Sequence, residues 1–88
     1  MADTLKSAQI RAARALIRWS AEELATASAL SLSTIRRAEL VEDETSMTAA
    51  NDLAVRRALE AAGVEFIDEN GGGAGVRLRM PSGKPKRK

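Results

Sequence analysis

The 88-residue chain contains no cysteine and no histidine. That removes disulfides, thiolate chemistry, the usual zinc ligand sets and the commonest general base, so neither an enzyme nor a metal or cofactor protein is expected. Aromatic side chains are nearly as scarce, with Trp19 and Phe66 the whole complement. Recognition of single-stranded RNA or DNA by base stacking is therefore disfavoured. No apolar run approaches the length of a membrane span, and residues 1–6 lack a signal-peptide pattern, so the expected location is the cytoplasm.

Charge of one sign is also in short supply. The net charge of +2 is carried by Lys84, Lys86, Arg87 and Lys88, and without them 10 basic residues face 12 acidic ones. The overall charge is thus weak evidence for a nucleic-acid partner, and only the placement of Arg and Lys on a surface can support one. A single domain of this size buries a modest fraction of its surface, which makes dimerisation the expected aid to stability.

The most informative stretch is 20–39, which reads as two short helices joined by a tight turn. Ser20 and Glu23 have the spacing of a capping box, with Trp19 and Leu24 placed as a hydrophobic staple, so a helix starts at Ala21. Ser31 repeats the pattern for a second helix, with Leu30 and Ile35 at staple spacing. About three residues, 28–30, are left to turn.

Before this pair, 7–18 is an amphipathic helix with Ile10, Ala13, Leu16 and Ile17 on its apolar side and Arg11, Arg14 and Arg18 in a basic stripe. A solvated face suffices for Arg11, whereas Arg14 and Arg18 are candidates for phosphate contacts. The amino end of the next helix, at Ala21, is a second candidate phosphate site through its free amides and dipole. Sorted at about 100° per residue, the helix 32–40 or 32–41 turns Ile35 and Ala38 inward. Leu32, Ser33, Arg36, Arg37 and Leu40 then lie around the opposite side. Such a face suits a DNA major groove, where Arg meets guanine and apolar groups meet thymine methyls; a partner-protein surface is the alternative.

A further helix starts at Ser46 or Thr48 and runs to Ala62, capped by Gly63, with Ala54, Val55, Ala58, Leu59 and Ala62 as its buried stripe. Leu53 falls outside that stripe. From Val64 the period changes to two: Val64 and Phe66, then Val76, Leu78 and Met80, alternate with charged residues and read as two strands. Asn70-Gly71 gives the hairpin its turn signal. The glycines 71–75 are not followed by a Lys-Ser/Thr helix, which argues against a phosphate-binding loop. Residues 81–88 read as a disordered basic tail.

Trp-Ser-Ala-Glu-Glu-Leu-Ala at 19–25, Leu-Ser-Leu-Ser-Thr-Ile-Arg-Arg at 30–37 and Glu39 together resemble the Cro/repressor (XRE) family of DNA-binding domains, over 7–63. Residues 57–66 look like short bacterial regulators of this type. The resemblance implies a mainly α fold: a four-helix helix-turn-helix domain over 1–63, followed by a β-hairpin over 64–80 and the tail 81–88. It implies operator binding as a homodimer, with one helix in the major groove and the preceding helix bracing it. Ser31 would then contact phosphate or a base edge, Leu32, Ser33 and Arg37 would read bases, Arg36 would sit at the groove wall, and Thr34 belongs to the same DNA-binding set. Two departures stand out. Ala29 occupies the place of a common turn glycine, so either it adopts a left-handed conformation or the turn differs, and Leu40-Val41 replaces polar residues or glycine. The acids Glu42, Asp43 and Glu44 oppose a phosphate backbone unless their loop points away.

The expected function is a DNA-binding transcriptional regulator, a repressor that binds an inverted repeat and is able to control its own gene, with no effector or catalytic domain. The hairpin residues Val64, Phe66, Val76, Leu78 and Met80, aided by Leu53, are the expected dimer contacts, since a bare two-stranded ribbon is only marginally stable and its open edges invite pairing. Two alternatives stay open: an antitoxin paired with a toxin, and a protein-binding module that has lost DNA and engages a partner such as an antiactivator.

Overall fold

The computed structural model describes residues 4–42, 45, 47–69 and 71–79. Helices α1 (Ser7–Ile17), α2 (Ala21–Ser28), α3 (Leu32–Leu40) and α4 (Ala49–Ala61) are followed by strands β1 (Val64–Ile67) and β2 (Gly75–Leu78). Ser46, Asp43, Glu44, Asn70, Met80 and the tail 81–88, each singled out in the sequence, lie outside the described residues.

The helix boundaries follow from local hydrogen bonding. Ser20 Oγ accepts from the Glu23 amide at 3.0 Å while a Glu23 carboxylate oxygen accepts from the Ser20 amide at 2.7 Å, the reciprocal box that opens α2. Thr48 opens α4 by accepting from the Asn51 amide at 3.1 Å. At the other end of α2, Ala29 takes the left-handed conformation with φ of 62°, and the Leu30 amide reaches back to the Ala25 carbonyl at 3.0 Å. Of the two alternatives for this turn, the left-handed one is realised, at a backbone cost of about 1–2 kcal/mol for a residue with a Cβ. The turn runs over 29–31, one residue later than expected, because Ser28 stays helical and bonds the Leu24 carbonyl at 2.8 Å. Gly63, at φ of 106°, follows α4 in the conformation that glycine tolerates.

One apolar cluster joins every helix to the hairpin. Ile10 and Ala13 of α1, Leu24 and Ala25 of α2, Ile35 and Ala38 of α3, and Val55 and Leu59 of α4 are buried together with Val64 and with Leu5 ahead of α1. Leu5 is tied in on both sides: its amide donates to Asp52 at 3.2 Å and its carbonyl accepts from the Thr45 amide at 3.2 Å. Burial pushes the Asp52 carboxyl above its ordinary range, although the Leu5 amide and the Arg56 charge both pull it down. No helix among the described residues is long and apolar enough to cross a membrane.

The hairpin departs from the tight Asn-Gly turn expected of it. Val64 pairs with Leu78, Glu65 with Arg77, Phe66 with Val76 and Ile67 with Gly75, which leaves residues 68–74 as a longer loop. A two-residue turn at 70–71 would shift the register by one and set Val64 against Arg77 and Phe66 against Gly75. Such a slip turns every side chain of one strand to the wrong face, so pairing of apolar with apolar residues decides the register over the turn signal. The observed register also places Glu65 beside Arg77 at 3.1 Å, an exposed pair that contributes little to stability.

The hairpin is clamped to α1 by Gln9, a residue without any evident role in the sequence. Its side-chain oxygen accepts from the Lys6 amide at 2.9 Å, and its amide nitrogen donates to the carbonyls of Gly75 at 3.1 Å and Ile67 at 3.5 Å. Phe66 is held from the other side by the Arg56 guanidinium, 4.9 Å from its ring centre.

Two substitutions test these assignments. Ala29→Gly should raise the stability by about 1 kcal/mol, the left-handed strain relieved less the extra freedom of the unfolded chain; a lower urea midpoint would contradict the strain. Gln9→Met should lower it by about 1 kcal/mol, since two part-buried carbonyls lose their donor. Hydrogen exchange should then quicken first in the β1–β2 amides, and unchanged protection there would refute the clamp.

Candidate functional site

The residues singled out between 31 and 40 fall on one helix whose two sides are treated oppositely. Ile35 and Ala38 are buried in the core, which fixes the rotation of α3 about its axis. The other side is open: Ser33, Arg36, Arg37 and Leu40 are all exposed. Neither Arg36 nor Arg37 has an ion-pair or hydrogen-bond partner among the described residues. Each guanidinium therefore offers its planar fork of donors to solvent.

The start of α3 is a small hydroxyl cluster. Ser31 Oγ accepts from the Thr34 amide at 3.1 Å and lies 2.8 Å from Thr34 Oγ1 and 3.2 Å from Ser33 Oγ. Thr34 is half-buried, and with Arg37 and Ala38 it lines a cleft of about 170 Å³ completed by Met47, Thr48 and Asn51 at the start of α4. Leu32 requires a correction: expected outward as a base reader, it is half-buried and packs on the core. At about 100° per residue Leu32 lies only about 60° from Ile35, on the margin of the inner side rather than opposite it, so its apolar side chain packs on the core.

Arg14 is the largest correction. Rather than pointing outward to a phosphate, its guanidinium grips the Glu39 carboxylate with two bonds of 2.7 and 2.8 Å and donates a third, of 2.9 Å, to the Trp19 carbonyl. The side chains are 22% and 11% exposed. The bond to Glu39 raises the Arg14 pKa further, against a smaller opposing effect of burial. One residue of α1 thus holds the α1–α2 connection and the last turn of α3 at once. The sequence carries no periodic signal for a pair 25 positions apart, although Glu39 is part of the motif that prompted the resemblance.

Arg18 stays accessible to solvent. It ends α1 in a left-handed conformation, is exposed, and has no partner among the described residues. Ala21 is half-buried, and the first turn of α2 around it carries Glu22 and Glu23. Two carboxylates already complement the helix dipole there, which weakens that end as an anion site.

The expected dimer residues separate in the same way. Val64 is fully buried inside its own subunit and cannot meet a partner, and Phe66 and Val76 pack against the same core, because α1 and α4 cover the hairpin face. Leu53 remains exposed and Leu78 half-exposed, and Ile67, not anticipated, joins them at the surface. No protein-family model matches the chain, and no curated protein matches it.

Because Arg14 and Glu39 are desolvated together, removing one should be costly. Arg14→Met is expected to destabilise the fold by about 3 kcal/mol, since it leaves a nearly buried carboxylate without a cation. Arg36→Ala and Arg37→Ala should stay within about 0.5 kcal/mol of the parent, as exposed changes do. Chemical denaturation of the three variants checks this, and similar midpoints for all of them would show that the ion pair is not what holds α3.

Proposed function

We propose that the chain is a sequence-specific DNA-binding regulator of the Cro/repressor type, acting as a homodimer and repressing by occupation of promoter DNA. The observation that carries this reading is the asymmetry of α3. Its inner side is fixed by Ile35, Ala38 and Glu39, while its outer side presents Ser33, Arg36 and Arg37 with both guanidinium groups unpartnered among the described residues. A helix that exposes forked donors fits the major groove, where Arg bonds guanine with two parallel hydrogen bonds.

In this reading α2 and α3 form the helix-turn-helix. Ser33 and Arg37 read bases, Arg36 lies at the groove wall, Ser31 meets phosphate or a base edge, and Arg18 holds the flanking backbone. The dimer contact falls on what the subunit leaves uncovered: Leu53, Ile67, Leu78 and the outer edges of a two-stranded sheet. Two-fold symmetry then sets half-site centres about 34 Å apart, or a multiple of the helical turn. A second reading, a protein-binding module, is favoured by the groove beside Trp19 that Ser20, Glu22, Glu23, Thr26 and Ala27 line, because its carboxylates repel phosphate.

Gel shifts on the gene's own upstream region, backed by selection from randomised duplexes, separate the two. Arg37→Ala should cost about 1–3 kcal/mol on the selected operator and relax preference at one base in each half-site. Equal loss on random DNA would reassign Arg37 to phosphate, and failure of the parent chain to retain any duplex would leave the protein-binding reading.

A further inference from the structure

Leu40 is 82% exposed, more than any other large apolar residue of the described chain. It is the last residue of α3 and lies two turns after Ser33, so at about 100° per residue it falls between the directions of Ser33 and Arg36, with Arg37 on the far side of Ser33. All four side chains are exposed. A leucine set among two exposed guanidinium groups, neither with a partner among the described residues, is poorly suited to a lipid or to an apolar protein patch, because either would strip water from the flanking charges without replacing it. Its cover must be anionic around the rim and carry isolated apolar groups in the middle. The major groove has that composition: phosphates at its walls and, on its floor, thymine C5-methyl groups.

We infer that Leu40 is a specificity-determining residue that packs on a thymine methyl, and that it takes the apolar readout for which the sequence had suggested Leu32. The inference rests on the proposed DNA-binding function and adds a base identity to it. Leu32 is withdrawn into the core, so Leu40 is the exposed apolar group of the helix. Ser33 and Leu40 are about 10 Å apart along the axis, a rise of about 1.5 Å for each of seven residues. That distance corresponds to about three base-pair steps. The thymine should accordingly lie about three base pairs from the position that Ser33 faces, on the side to which α3 points.

The test is removal of single methyl groups from the DNA. An operator is first selected from randomised duplexes with the full chain, and each thymine is then replaced in turn by uracil, which differs only by the absent C5-methyl. With the parent chain, one position in each half-site should weaken binding about fourfold on replacement, the worth of one buried methyl-sized group. Leu40→Ala should bind the thymine operator about fourfold less tightly per half-site and be indifferent to uracil at that position. Leu40→Met, which keeps an apolar side chain, should restore the dependence; circular dichroism of both variants establishes that they are folded. An operator with no uracil-sensitive position, or a Leu40→Ala profile identical to the parent's, overturns the inference while leaving the DNA-binding function intact. If no duplex is enriched at all, both fall together.

Discussion

The bond between Arg14 and Glu39 is the constraint on which the arrangement of the helices depends. Apolar burial brings α1 and α3 together through Ile10, Ala13, Ile35 and Ala38, but these contacts are non-directional and would tolerate small rotations. A planar guanidinium with both of its carboxylate bonds below 3 Å tolerates far less. The third bond, to the Trp19 carbonyl, extends the same constraint to the start of α2. The outer face of α3 is defined by what holds its inner face, and Glu39, the acid next to Arg36 and Arg37 in the helix, is taken by the Arg14 guanidinium.

Much of this arrangement was legible in the sequence where it depends on neighbours along the chain. The Ser20–Glu23 box, the Ser31 cap, the inward placement of Ile35 and Ala38 and the change of period at Val64 all follow from spacings of a few residues. The longer-range features were not. Nothing local links Arg14 to Glu39 or Gln9 to the carbonyls of Ile67 and Gly75, since such bonds are set by how the elements meet. Where a local signal competed with a tertiary one, the tertiary one prevailed. The Asn-Gly turn gave way to the register that aligns Val64 with Leu78.

The two corrections at the surface change the chemistry assigned to it. Withdrawal of Arg14 removes one cation from the phosphate-facing set, and the acids Glu22 and Glu23 reduce the pull of the α2 amino end on anions. Of the cations that the proposed reading assigns to DNA, Arg18, Arg36 and Arg37 remain exposed, and Arg11 and Arg57 are exposed as well.

Gln9 and Arg14 stand on the same helix about 140° apart around its axis. One faces the hairpin and the other faces α3, and each is bonded through more than one hydrogen bond. Helix α1 therefore links the strands to α3 through hydrogen bonds on two of its sides. In the proposed homodimer, a second subunit gripping the strands would reach α3 through α1, and the spacing of the two copies of α3 would be set as in a jig before any ligand arrives.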